Sequence, residues 1–168
     1  MSTFDICCVH NVNRPFAPDW YPFHVPFDGR LFMTVDELSY KSGNWQNRVA
    51  SHRTKLLQKV TTQYWVSLDD DVQVDKENLD LALEYAWNHP SLGCVGIPCL
   101  PPERGGARSG TVHMACAVWQ TAATDGLMFT TGPEGGKACE CLWFNRAIIE
   151  RGWGVEYHPT AVATHWEG

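Results

Sequence analysis

Residues 63–74 read QYWVSLDDDVQV. Tyr64, Trp65, Val66 and Leu68 make an apolar, strand-favouring run that delivers Asp69, Asp70 and Asp71 side by side. Three adjacent carboxylates repel one another at neutral pH, so a compact arrangement needs positive charge among them. The surrounding charge is uneven. From Ser39 to Leu68 there is no acidic residue, but there are Lys41, Arg48, Arg53, Lys55 and Lys59; residues 69–84 then carry Asp69, Asp70, Asp71, Asp75, Glu77, Asp80 and Glu84. A basic segment running into an acidic one suits a site where a metal meets an anion. Two solvated helix faces of opposite sign would give the same pattern.

The elements that must position these residues follow from periodicity and punctuation. TFDICCVHN reads as a first strand, and RLFMTV as a second that closes on Asp36. Between them, residues 14–29 hold four prolines and cannot form a regular helix. GNWQNRVASHRTKLLQKV is helical, with Val49, Leu56, Leu57 and Val60 near helical spacing, and it leads into the strand that ends at Asp69. Asp75 is the N-cap of the next helix, KENLDLALEYAWN, whose apolar side is Leu79, Leu83, Ala86 and Trp87 and whose end is His89-Pro90. LGCVGIP and TVHMACAVW are further strands, separated by a Pro- and Gly-rich loop with Arg104 and Arg108. After the TTGPEGGK loop, ACECLWFNRAIIERG is a helix closed by Gly152, and GVEYHP and AVATHW are short final strands. Strands alternating with helices predict an α/β domain with a mostly parallel central sheet flanked by helices. Ligands of such sheets bind outside the carboxyl ends of the strands, which here carry Asn11–Arg14, Asp36 and Asp69–Asp71.

Composition bounds the rest. The 168 residues, 44% hydrophobic and 12% aromatic, suit one domain with a sizeable core. Eight tryptophans serve either as core or as platforms for a flat ligand. A formal charge of −6 argues against a generic nucleic-acid coat. The seven cysteines do not form two CxxC pairs; a zinc site through Cys139-x-Cys141 and a histidine is one reading, and reduced, mostly buried thiols the other. MSTFDICCVHNVNRP has no basic region followed by a long apolar stretch, as a signal peptide would. No window reaches the roughly 18 apolar residues of a spanning helix. The expectation is a soluble, cytoplasmic protein.

In this order the pieces resemble the GT-A glycosyltransferases, especially the large family of inverting enzymes that use nucleotide-sugar donors. VNRP after the first strand resembles the family's Asn-Arg-Pro turn. MTVDELSYKSGN resembles its second strand ending in Asp, and RVASHRTKLLQKVTTQYWVSLDDDV its basic helix and DxD strand. HMACAVW resembles the strand before the acceptor loop, and ECLWFNRAIIERGWGVEYHPTAVATHW the closing helix with an acidic start and a final His. Three features depart from the family. A proline-rich loop replaces the helix between the first two strands, Cys139-Glu140-Cys141 stands where the family usually has Glu-Asp, and the chain is short. The resemblance implies one GT-A-like, Rossmann-like domain over 1–168, with a nucleotide-sugar half over about 1–97 and an acceptor half over about 98–168.

The resemblance also implies roles. A hard divalent cation, Mn2+ or Mg2+, bridges the donor's phosphates and offsets the charge of the leaving diphosphate. Asp71 is the implied metal ligand, Asp69 faces the metal or the ribose, Asp70 is less directly involved, and His165 is an additional metal contact. Asp36, with Asn13 and Arg14, lines the nucleotide pocket, and Arg48 or Arg53 contacts the diphosphate. An inverting transfer needs a base opposite the diphosphate, and Glu140, opening a helix with Phe144, Ala147 and Ile148 on its apolar face, is the candidate. The expected donor is a nucleotide-sugar, a UDP-sugar foremost. The acceptor stays open among a protein, a small glycan and a hydroxymethylated pyrimidine in viral DNA. The last is suggested by the basic 41–59 segment, the Arg104–Arg108 loop and the aromatic 16–27 loop, and opposed by the overall acidity. Two other classes also stay open: a metal-dependent phosphoesterase or nuclease using the Asp triplet, and a non-catalytic nucleotide-sugar or glycan-binding domain.

Overall fold

The computed structural model describes residues 3–24, 27–38, 44–100, 111–132 and 139–166. Arg104, Arg108, Lys41 and most of the TTGPEGGK loop lie outside the described residues. The elements are β1 (Phe4–Asn11), α1 (Tyr21–His24), β2 (Leu31–Asp36), α2 (Trp45–Leu57), β3 (Tyr64–Leu68), β4 (Val72–Gln73), α3 (Lys76–Asn88), β5 (Leu92–Gly96), β6 (Cys99–Leu100), β7 (Cys116–Gln120), α4 (Thr121–Thr124), α5 (Glu140–Glu150), β8 (Gly154–Tyr157) and β9 (Ala163–His165).

Six strands form the central sheet in the order β2-β1-β3-β7-β5-β8. β1 runs parallel to β2 and β3, and β5 parallel to β8, while β7 is antiparallel to both of its neighbours. The mostly parallel α/β expectation therefore holds, with one reversed strand. β7 follows β5 in the chain yet lies between β3 and β5 in the sheet, so early and late segments share one core.

Side-chain alternation sorts that core into two layers. Phe4, Ile6 and Cys8 of β1 and Tyr64, Val66 and Leu68 of β3 pack on one face with Leu79, Ala82 and Ala86 of α3. Cys7 and Trp65 face the other side, with Ala50 and Leu56 of α2 and Phe144 and Ile148 of α5. On that second face Trp65 and Trp119 stack at 5.5 Å, and Phe144 meets Trp119 edge-on at 5.3 Å.

Several expectations are corrected. Trp87 is 53% exposed, because Leu79, Ala82 and Ala86 already fill the stripe of α3 that faces the sheet. The strand expected over 111–119 begins only at Cys116. The proline-rich loop contains the short turn α1 and does a helix's work: Ala17, Trp20 and Tyr21 are buried in the first core layer. A stacking platform for an extruded base needs open ring faces, so burial removes Trp20 and Tyr21 from that role. The caps expected at the start of α3 and the end of α5 are found. Asp75 accepts from Asn78 N at 2.7 Å, and Gly152 takes φ +87, the left-handed turn that closes α5.

A second sheet, β4-β9-β6, was not legible in advance because two-residue strands carry no periodicity. It pairs Val72 with His165 and so draws the end of β9 against the Asp triplet.

Candidate active site

The carboxyl ends of β1, β2 and β3 share one edge of the sheet, and the reversed β7 brings its entry residues to the same edge. Asp69 N donates to Ala115 O at 2.8 Å, which fixes the 113–115 segment beside the triplet. The triplet itself is a tight turn, with Val72 N donating to Asp69 O. Two bonds from the proline-rich loop hold its backbone: Trp20 Nε1 to Asp69 O at 3.0 Å, and Ala17 N to Asp70 O at 2.7 Å.

That turn sends the three carboxylates in different directions. Asp70 is fully buried behind the site. It accepts from Asn11 N and His10 Nδ1, both at 2.9 Å, and from Arg14 at 3.0 Å. Its oxygens are committed to fold partners, and it is not among the residues that line the cavity of the site. Asp69 and Asp71 line a cavity of about 310 Å³ together with Asn11, Arg14, Asp36, Trp45, Arg53, His113, Glu140 and His165. Arg14 reaches past Asp70 to pair with Asp71 as well. Burial and the neighbouring Asp69 push the Asp71 carboxyl above its ordinary value; Arg14 and His165 pull it down without offsetting them.

Arg53 is the hinge of the site. Its side chain is 11% exposed; one nitrogen donates to Asp69 Oδ1 at 2.8 Å and the other lies 3.3 Å from Glu140 Oε1. Burial alone would lower its pKa, but Asp69 and Glu140 outweigh burial and hold the guanidinium firmly charged. Glu140, 4% exposed, is the first residue of α5. Asn145 clamps that first turn to the 111–115 segment, with Nδ2 donating to Val112 O and Cys141 O while Oδ1 accepts from Val112 N. Cys139 is the N-cap, its sulfur accepting from Cys141 N at 3.4 Å, and the two Sγ atoms are 2.8 Å apart. The contact between the thiols holds Cys139 below the ordinary thiol value and Cys141 well above it.

The remaining sequence candidates divide. Asp36 lines the cavity but is buried and gripped by Arg48, Nε to Oδ1 at 3.1 Å and Nη2 to Oδ2 at 3.3 Å. Arg48 is thus spent on Asp36 and does not line the cavity. Asn13 is exposed and folds back on Asn11 Oδ1. Reasoning from sequence missed Trp45, His113, Asn145 and His10. Of these only Trp45 carried a signal, an aromatic at the foot of a basic helix.

His165 Nε2 lies 3.4 Å from Asp71 Oδ2, and its buried Nδ1 has no hydrogen-bond partner. Among the described residues, only Cys139, Glu140 and Cys141 bring three ligand atoms within 4.8 Å of one another. Asp69, Asp71 and His165 are set more widely. That spacing fits Mn2+ or Mg2+ held by one or two carboxylates together with phosphate oxygens, rather than a cage of protein ligands alone. The guanidinium of Arg14 rests on the carboxylate of Asp71 that such an ion would share.

No helix among the described residues is long and apolar enough to cross a membrane. No protein-family profile and no curated protein matches the chain. Solved structures do. Staphylococcus aureus TarS superposes with a TM-score of 0.67 at 12% identity over 98% of this chain and 37% of TarS. The mannosyltransferase PcManGT from Pyrobaculum calidifontis, solved with GDP-Man and Mn2+, gives 0.58 at 15% identity over 98% of this chain and 56% of its own. A197 from STIV gives 0.63 at 14% identity over 100% of this chain and 87% of its own. TarS residues 1–349 have also been solved with UDP and with UDP-GlcNAc. The chain thus spans well under two thirds of TarS and of the mannosyltransferase. At these identities the likeness establishes architecture, and the chain has the GT-A fold that its motifs resembled.

Proposed function

We propose that this protein is a metal-dependent glycosyltransferase that moves a sugar from a nucleotide-diphosphate donor to an acceptor hydroxyl with inversion. One observation carries the reading: a single cavity is lined by Asp69, Asp71, His165 and Glu140, with Arg53 hydrogen-bonded to Asp69 and ion-paired with Glu140. The neighbours solved with UDP, UDP-GlcNAc, GDP-Man and Mn2+ support the donor class.

Asp71, with Asp69 and His165, would hold a hard dication, which supplies charge compensation for the donor's diphosphate. Arg14 and Arg53 add positive charge at the same place, and guanidinium forks suit phosphate oxygens. Trp45, 42% exposed on the cavity rim, offers a flat face to the nucleobase. Asp36 and Asn11 line the same cavity, and Arg48 keeps the Asp36 carboxylate in place. On the opposite side Glu140 takes the proton of the acceptor hydroxyl. The hydroxyl oxygen bonds to the anomeric carbon as the bond to the diphosphate breaks, and the electron pair leaves on the diphosphate. Asn145 and the N-cap Cys139 hold the turn that aims Glu140.

A thermal-shift panel of UDP-, GDP-, CDP- and dTDP-sugars tests the reading, with and without Mn2+ or Mg2+. A ligand that binds only the folded state raises Tm by mass action. At least one donor should stabilise the parent only when metal is present. Mass analysis of the products on protein, glycan and hydroxymethylated-DNA acceptors then names the acceptor. Glu140→Gln should keep the donor shift and lose about 10²–10⁴-fold in turnover. Full turnover in that variant removes Glu140 as the base, and no donor shift under any condition removes the transferase reading. Nucleotide release without a glycosylated product would favour a phosphoesterase.

A further inference from the structure

In the Cys139-Glu140-Cys141 run, the two thiols have chemistry that sugar transfer does not use. Cys139 caps α5 and Cys141 stands in its first turn, so two side chains separated by one residue fold toward each other. Their sulfurs are 2.8 Å apart, and Glu140 Oε2 is 3.6 Å from the sulfur of Cys139. All three residues line the cavity, and their ligand atoms lie within 4.8 Å of one another. None of the seven cysteines is in a disulfide, and the other five are buried.

Two thiolates and a carboxylate within that span match the demands of a soft or borderline dication. At a Zn–S length of about 2.3 Å, two sulfurs on one tetrahedral ion sit about 3.8 Å apart, a small side-chain adjustment from where they stand. A dication, with Arg53 that Asp69 and Glu140 share, offsets most of the negative charge of Cys139, Glu140 and Cys141 once both thiols have released their protons to solvent. The Asp71 wall offers oxygen and imidazole, which hard ions prefer, whereas thiolates select zinc and its soft relatives.

We propose that Cys139, Glu140 and Cys141 form a second metal site, selective for Zn2+ and similar thiophilic dications, in the same cavity as Asp71. Solvent takes the fourth position. An ion bound there coordinates a Glu140 carboxylate oxygen, lowers the basicity of the carboxylate and disengages it from proton transfer. That consequence rests on the proposed transferase function; the binding does not.

Cadmium titration tests the site, because cadmium–thiolate bonds absorb in the ultraviolet and report on ligation without any turnover. The full chain, kept reduced with a phosphine, should take up one Cd2+ with a thiolate charge-transfer band. Native mass spectrometry counts the ions, and Zn2+ in competition should erase the band. The Cys139→Ser/Cys141→Ser double variant should lose the band, whereas Asp71→Asn should retain it. Cys141 is buried, so Cys139→Ser alone, at a half-buried position, guards against a folding defect. It should weaken Cd2+ binding on the order of 100-fold, since loss of a ligand exceeds the roughly 10–100-fold cost of losing an outer-shell partner. The site is refuted by a parent that gives no band at stoichiometric Cd2+, by a band that survives in the double variant, or by one that disappears in Asp71→Asn. None of these readouts involves a sugar donor, so failure of the donor panel leaves the result standing.

Discussion

Two buried carboxylates stand at opposite edges of the central sheet, and their environments differ in kind. Asp5, near the start of β1, is fully buried. It accepts from Arg30 Nε at 3.1 Å, from Arg30 Nη2 at 2.9 Å and from Thr61 N at 3.1 Å. Burial tends to raise its pKa, but Arg30, Thr61 and Thr62 outweigh burial, and the carboxyl rests below its ordinary value. Asp71, just past the end of β3, is also buried, yet its partners do not outweigh burial and the repulsion of Asp69, and its carboxyl is raised. Asp5 faces partners supplied by the fold, whereas Asp71 faces a cavity. A buried acid is therefore not a site by virtue of burial. A site is marked by charge that the fold leaves incompletely answered where a ligand can reach it.

The largest way to test this contrast is to remove the cation that serves the cavity side. Arg53→Met takes from Asp69 and Glu140 their shared counter-charge in a buried setting, and should cost about 3–5 kcal/mol in urea unfolding. A cost below about 1 kcal/mol, the range of an exposed pair, would mean that solvent rather than Arg53 compensates those acids. Next is Asp5→Asn. It breaks charge-assisted bonds at a position with no ligand role and should cost about 1–3 kcal/mol, with any donor-induced Tm shift unchanged.

The same variant predicts a pH signature. The native pKa of Asp5 lies below its unfolded value, so its contribution is complete above the unfolded value of about 3.9 and is lost as pH falls through the native one. Melting curves should show a steeper acid decline for the parent than for Asp5→Asn. The smallest effect on stability belongs to Asp71→Asn. Burial and Asp69 already disfavour the charge there, so unfolding should change by less than about 1 kcal/mol, while metal-dependent donor binding disappears. If Asp71→Asn destabilised as much as Asp5→Asn, the two carboxylates would be alike and the contrast would fall.

Much of the fold was legible because its signals are local. β1, β2 and β3 announce themselves as apolar runs, α3 by Asp75 and its apolar spacing, and α5 by Gly152 at its end. The Asp triplet at the carboxyl edge was legible for the same reason. The split within the triplet was not. Adjacent residues in a turn point apart, and Asp70 is turned inward by His10, Asn11 and Arg14, far from it in sequence. The fate of the aromatic loop was likewise undecided, since Trp20 and Tyr21 have the same composition whether they stack on a ligand or fill the layer beneath β1 and β3.

The sequence by itself determined the order of the longer strands and helices, the caps at Asp75 and Gly152, and the edge of the sheet where acids accumulate, since each depends on residues a few positions apart. Only the tertiary structure decided which acids face the cavity and which serve the fold. It also decided that Arg53 joins Asp69 to Glu140 and that His165 meets Asp71. The physical reason is that a buried charge is stabilised by whatever the folded chain brings within hydrogen-bond reach, and those partners come from remote segments across a sheet whose strand order is not the chain order.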